Sequence, residues 1–485
     1  MKKYILTTIA VCAIAIAQAQ VKATQGSNTQ SYTAEQQPNF TSFSNNEADY
    51  FIVSRVERLE KRYTIIIADK TGNINTAADI RINPGTFNNN AEVKSVLVAG
   101  NTIAAFIQNK SKSDGKNTLT ARVIDKNGIL SNTDLPVGSL DFVKMGNAGD
   151  WYTTVTPDKK HIAVVGKLPH EKNMPDQFKY FLLDDNLKVT GSGQFSFAGY
   201  TKEIPVWNFL ASDKGDLYII SEEFDKSYKF PVVYQAKAGS AAGNIVPVII
   251  ADPALRMLSY VSSVNPAGEL VIAGYSQQKK SFSMGDVQAV GTWIFNSSKP
   301  QELKTFKFDK PITNMTARNI VYNGNTFFMV GEQYKGEKDP NRSTGMAALR
   351  MEENYTYEHG DIIVTAFGDN GDKKFDLPVS RNKWVSHNVD KEFMLASGIT
   401  NNKLALVFND IYGKYIDDRD YRHYKLPVAV TINNDGLMDA PVNFAKDLDV
   451  KYSGYVLTPL FFNNNSNRLI LLTTNGQNIK TVTFQ

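Results

Sequence analysis

The chain of 485 residues contains one cysteine, Cys12, inside the apolar part of its opening stretch "MKKYILTTIAVCAIAIAQAQ". With that stretch removed no thiol remains, which excludes disulfide staples, cysteine-ligated zinc, iron–sulfur clusters and thiol nucleophiles. Charge of one sign is missing too. Lys and Arg number 53 against 49 Asp and Glu, so no large one-signed field exists to gather nucleic acid or anionic lipid. No run after the first 20 residues is apolar for long enough to cross a bilayer, so no transmembrane segment is expected in the mature chain. The five histidines, His161, His170, His359, His387 and His423, show neither HxxxH nor HExxH spacing. There is no G-x-S-x-G, no phosphate loop and no dinucleotide-binding glycine pattern after a strand. The sequence therefore assigns no catalytic residue, no metal site and no cofactor.

The opening stretch itself carries information. Lys2 and Lys3 precede an apolar core from Tyr4 to Ala17, and Ala17-Gln18-Ala19 forms an A-x-A cleavage site. Residues 1–19 read as a secretory signal peptide and the mature chain as beginning at Gln20, which predicts an exported protein, periplasmic or associated with the outer membrane or cell surface.

Strand-like runs rich in Ile, Val, Phe and Tyr recur along the rest. "YFIVSRV" (50–56), "TIAAFIQ" (102–108), "HIAVVG" (161–166), "LYIISE" (217–222), "LVIAGY" (270–275), "TFFMVG" (326–331), "LALVF" (404–408) and "RLILLTT" (468–474) begin mostly 50 to 60 residues apart. Each is preceded by another strand-like run and followed, after a variable loop, by a third and then a fourth. Four short antiparallel strands per unit, with no helical period, describe the blade of a β-propeller. The expectation is an all-β fold with a single propeller domain over 37–485. Eight blades are preferred, and seven blades plus a satellite hairpin is the alternative. The last unit runs out after its third strand, so a strand from the N-terminal segment 20–36, around "TQSYTAE" (29–35), is expected to close the ring and remove the free sheet edge.

Polar, glycine-containing turns punctuate the units: "RVIDKNGILS" (122–131), "IADKTGNI", "ASDKGDLY", "VNPAGELV", "FGDNGDKK" and "INNDGLMD". Their Asp and Asn oxygens invite a calcium reading, but an EF-hand loop needs D-x-[DN]-x-[DN]-G with a later Glu, and none supplies it. They read as hairpin corners in which Asn-Gly, Asp-Gly or Lys-Gly meets a positive φ. Tryptophans 151, 207, 293 and 384 lie in or beside strand-like runs and read as core.

Propeller connectivity sorts the loops. Connections between second and third strands share an end with the blade-to-blade crossings, whereas the short turns lie at the other end. The long segments 109–117, 167–178, 276–290, 332–360 and 409–425 therefore crowd one face, and a rigid scaffold with decorated loops makes that face the place for binding. Within it, Tyr334, Arg342, Tyr355, Tyr357 and His359 in one loop, and Tyr412, Tyr415, Asp418, Arg419, Arg422 and His423 in the other, combine aromatic rings with Arg in the manner of partner anchors.

From "MVGEQY" through "GDIIVTAFGDNGDKKFDLPVSR" to "KLALVFNDIYGKY" and "VAVTINNDGLM", the chain resembles a widespread set of uncharacterised exported proteins of Bacteroidota, over roughly residues 320–480. The resemblance implies cell-envelope placement and a propeller-like fold, and it carries no catalytic residues over. The functional expectation is a non-enzymatic exported scaffold that binds an envelope protein or glycan through its loop-rich face, with no nucleic-acid partner. The alternative is a carbohydrate-active hydrolase or lyase with its site at the mouth of the central channel.

Overall fold

The corner at Asp125 explains why the blades are spaced as they are. Oδ1 of Asp125 accepts from the backbone N–H of Asn127 and of Ile129, both at 2.8 Å. Gly128 N–H returns to the Asp125 carbonyl, and Gly128 alone takes the left-handed conformation, with φ of 77°. The sequence reading is corrected in one respect: the organising residue is the first Asp rather than Asn127, because its carboxylate closes the turn from outside the backbone ring. Asp184, Ser212 and Asn433 repeat the device with their own side-chain oxygens. Between these corners the chain has nowhere to go but back along its own strand.

The computed structural model describes residues 23–25, 30–31, 39–44, 48–57, 60–80, 91–225, 228–279, 287–338, 355–382, 384–387, 395–411, 425–443, 457–463, 467–473 and 478–484. The described residues are strand, turn and bend throughout, so no helix there is long and apolar enough to cross a membrane. The chain is a β-propeller of four-stranded antiparallel blades. Seven blades are each made of consecutive strands of unbroken chain, spanning 39–80, 91–141, 150–196, 208–247, 255–313, 315–379 and 395–443. The preferred count of eight is thus corrected to seven, the count the sequence reading gave as its alternative, because the eighth strand group does not form a blade of consecutive strands. The last stretch differs in kind from these. Its strands Leu457–Asn463, Arg468–Thr473 and Asn478–Phe484 form a composite sheet, in which the outermost strand pairs with Ala23–Gln25 and with Gln30–Ser31. The N-terminal pairing expected around 29–35 thus falls at 23–25 and 30–31.

From the second to the seventh, successive blades pack through their first strands, the first strand of the second blade packs on the third strand of the first, and Leu457–Asn463 packs between the first strands of the seventh and first blades. Second strands are buried on both faces: every residue of Ile162–Lys167 is buried, as are the residues of Leu270–Ser276. A sheet covered on both sides by neighbouring sheets has no solvent face, which is why these runs are continuously apolar instead of alternating. Trp151 and Trp293 lie in this core as expected, but Trp207 does not: it is 64 % exposed. It precedes its strand, Asn208–Ala211, and stands at the blade's end instead of on its face. The side chain of Trp384 lies outside the described residues.

The long loops are shorter than the sequence suggested. Strands 102–111 and 116–124 leave only a tight turn between them, and in the sixth blade the strands Thr326–Lys338 and Tyr355–Gly368 extend into the segment expected to be loop.

Candidate functional site

Where each second strand leaves its blade toward the loop-rich face, the apolar run ends in buried polar residues. Gln108, Lys167, Ser221, Ser276, Glu332 and Asn409 occupy this position in the second to seventh blades. Buried polar groups are as a rule partnered, and the partners of Gln108, Lys167 and Glu332 reach across strands and loops, whereas the Ser221 hydroxyl is buried without one among the described residues. Gln108 Nε2 donates to Asn117 Oδ1 at 2.9 Å, and Trp151 Nε1 donates to the same oxygen at 3.1 Å. In the third blade Lys167 donates to the Ile204 carbonyl at 2.8 Å and pairs with the buried Asp176 at 3.3 Å. Asp176 in turn accepts from Ile204 N–H and lies 2.7 Å from His170 Nδ1. The loop 168–176 is thereby fastened to the blade crossing.

The sixth blade carries the most elaborate version. A bulge between Glu332 and Tyr334 takes Gln333 out of the pairing with Tyr355–Gly368 while it still pairs with Met315 on the other side; a bulge lets two neighbouring residues aim at different spaces. Gln333 Nε2 bonds the Thr313 carbonyl and hydroxyl, and its Oε1 accepts from Asp361 N–H. Glu332 goes inward, to 1 % exposure. Arg381 Nη2 reaches its Oε2 at 2.6 Å, Arg318 Nε reaches its Oε1 at 2.8 Å, and His359 Nδ1 stands 3.4 Å away. Burial by itself would raise the Glu332 carboxyl, but the two guanidinium groups and the imidazole outweigh it and hold the group well below the ordinary carboxylate range. Burial also lowers His359 from the usual imidazole value, against the pull of Glu332.

Above this base the blade continues as a small sheet of Tyr334–Lys338, Tyr355–His359 and Trp384–His387. Tyr334 stacks on Tyr357, with centroids 5.9 Å apart and planes 6° apart, and the Arg318 guanidinium lies 4.5 Å from the Tyr334 ring centre. Beside the bulge opens a cleft of about 290 Å³, lined by Thr313, Asn314, Gln333, Lys335, Glu358 and Arg381 among others. Its walls are polar and mixed in charge, suited to hydrogen-bonding a polar surface.

Of the residues picked out from sequence, this arrangement brings together Tyr334, Tyr357 and His359. Tyr334 is half-buried at the cleft, whereas Tyr357 and His359 are interior and what they contribute to the face is the placement of Tyr334. Tyr355 lies in the extension strand with its side chain outside the described residues; Arg342, Tyr412, Tyr415, Asp418, Arg419, Arg422 and His423 lie outside them altogether. Sequence reasoning missed Arg318, Glu332 and Arg381. The one available signal was "MVGEQ", a charged residue at the end of an otherwise apolar strand. Among the described residues no group of three or more His, Cys, Asp or Glu side chains is placed to hold a metal ion.

No protein-family model matches the chain, and no curated protein matches it. Solved structures similar to it include the WD40 domain of SCAP from fission yeast, at 10% identity and a TM-score of 0.42, covering 97% of this chain and 96% of that one. The β-propeller domain of the Trilobed protease from Pyrococcus furiosus is similar at 7% identity and a TM-score of 0.36, covering 87% and 99% of the two chains. A polysaccharide lyase described as an ulvan lyase is similar at 10% identity and a TM-score of 0.39, over 86% and 96%.

Proposed function

We propose that the protein is an exported, non-enzymatic propeller platform that binds a cell-envelope protein or glycan through its loop-rich face. The composite sheet acts as the closing member of the ring. The observation that carries the reading is the base under the sixth-blade cleft. A carboxylate buried to 1 % exposure and held by two guanidinium groups is fully engaged inside the protein, where it fixes the shape of the surface above it. Such pre-organisation lowers the ordering cost of binding a partner. Export rests on the leader-like residues 1–19, which lie outside the described residues, and envelope placement also on the likeness to exported proteins of Bacteroidota.

The alternative is a hydrolase or lyase at the channel mouth, and its hydrolase form calls for two carboxylates that face one space. Glu222 and Glu223 are the adjacent acids there, and as neighbours on a strand they point to opposite faces. Glu222 accepts from Tyr260, and Glu223 accepts from Tyr200 and Tyr234.

The test replaces 339–354 and 412–424 together by short Gly-Ser links and compares capture of solubilised native envelope material by the two proteins. The reading expects the material retained by the intact protein to be lost from the trimmed one at an unchanged melting temperature. Equal capture by both would remove its support.

A further inference from the structure

Two of the largest exposed apolar side chains lie together at the loop-rich end of the fourth blade. Trp207 and Phe224 are each 64 % exposed. Phe224 is two residues beyond Glu222 on the same strand, so the two share a face, and Lys229 is directly opposite Phe224 on the next strand. The Lys229 ammonium lies 5.6 Å from the centre of each ring and 3.1 Å from Glu222 Oε2. The other Glu222 oxygen accepts from the Tyr260 hydroxyl of the fifth blade at 3.0 Å. Trp207 immediately precedes the fourth blade's inner strand and Tyr260 lies on the fifth blade's inner strand, so the cluster lies at the junction of the two blades near the channel mouth.

Packing does not explain this arrangement, since most of each ring faces solvent. Its electrostatics narrow what could cover it. An ammonium ligand would meet Lys229 and a carboxylate ligand would meet Glu222; each would have to break the existing pair. A neutral polyol keeps the pair intact, because a hydroxyl both accepts from an ammonium and donates to a carboxylate. The C–H face of a sugar ring is also an apolar plate of a size to lie on an indole. We propose that Trp207 and Phe224, with the Glu222–Lys229 pair between them, form a subsite for a neutral sugar ring of a glycan. This rests on the reading of the loop-rich face as the binding face and names the ligand class there.

The test is calorimetric titration of the full chain with the neutral hexasaccharides of glucose (α-1,4 and β-1,4), mannose and xylose. At least one is expected to bind saturably. Trp207→Ala should weaken it about tenfold or more, the loss of roughly 1.4 kcal/mol, Trp207→Phe should recover most of the affinity, and Lys229→Met should weaken it less than Trp207→Ala. Because Trp207 is exposed, all variants should melt at the wild-type temperature. Absence of binding to every hexasaccharide, or equal binding by Trp207→Ala, overturns the sugar subsite. If Trp207→Ala instead loses an envelope protein in the capture experiment while no sugar binds, the subsite fails and the platform reading stands.

Discussion

Asp125 and Glu332 are both acids whose carboxyls are held below their ordinary values, and for opposite reasons. Asp125 is at the surface, where the Ile129 and Asn127 backbone N–H groups lower it. Glu332 is interior, where guanidinium charge overcomes burial. The Asp125 carboxylate is consumed by the turn, so millimolar Ca²⁺ or a chelator should leave the melting temperature unchanged, and Asp125→Ala should lower it with or without the ion. A calcium-dependent rise in the wild type that Asp125→Ala abolishes would restore the metal reading. For the Glu332 cluster the signs are the same for acid and base. His359, lowered in the fold, contributes stability above the unfolded imidazole value of about 6.5 that is lost as pH falls below it; Glu332 adds a further loss below about 4.3. Acid titration of the folded protein, followed by urea midpoints, should thus show two descending steps. Glu332→Gln leaves Arg381 buried beside a neutral amide and should cost about 3–5 kcal/mol while removing the lower step.

At the scale of strands and blades, close contact is set by glycines that face aromatic rings. A Cβ on Gly331 would come within 2.2 Å of the Tyr275 hydroxyl oxygen in the neighbouring blade, and within the third blade one on Gly166 would come within 2.6 Å of the ring of its cross-strand partner Trp151. Gly331→Ala should therefore force the fifth and sixth blades apart at a cost of about 1–3 kcal/mol, whereas Gly324→Ala, with open space around it but φ of 59°, tests backbone conformation alone. Much at this scale was legible in the sequence. The second strands announce themselves by unbroken Val, Ile and Phe, and the corners by a polar residue three before a glycine, because both signals are local. The polar strand ends were not legible, since Arg318 and Glu332 come from separate strands and Arg381 from the segment after a third, and they meet only through blade topology. Trp207 misled for a related reason: "VWNFLAS" has a strand's composition, but the indole precedes the first paired residue and so escapes the sheet.

On the scale of the whole molecule, the composite sheet joins the two ends of the chain, and a buried ion pair fastens it to the first blade. Arg468 pairs with Asp49, both nearly inaccessible, and also donates to the carbonyls of Asp69 and Lys70 at 3.0 and 2.8 Å. Thr481 of the last strand donates to the Gly72 carbonyl of the same corner. Arg468→Met removes the close partner of the buried Asp49 and leaves it with the more distant Lys70, at 3.8 Å, and should destabilise by about 3–5 kcal/mol. Adding Asp49→Asn should recover a large part of that loss, and failure of the double variant to recover would show that the backbone bonds of Arg468, not its charge, hold the ends together.

A rigid ring with one plain and one decorated end is an argument about direction, so the most direct test reads direction. A photo-crosslinking phenylalanine analogue is placed at Phe224, on the loop-rich end, or at Ile129, which is 63 % exposed in a corner of the plain end, and each protein is irradiated in native envelope. The account predicts a discrete adduct from position 224 and none from 129. An adduct from 129 with none from 224 would contradict it.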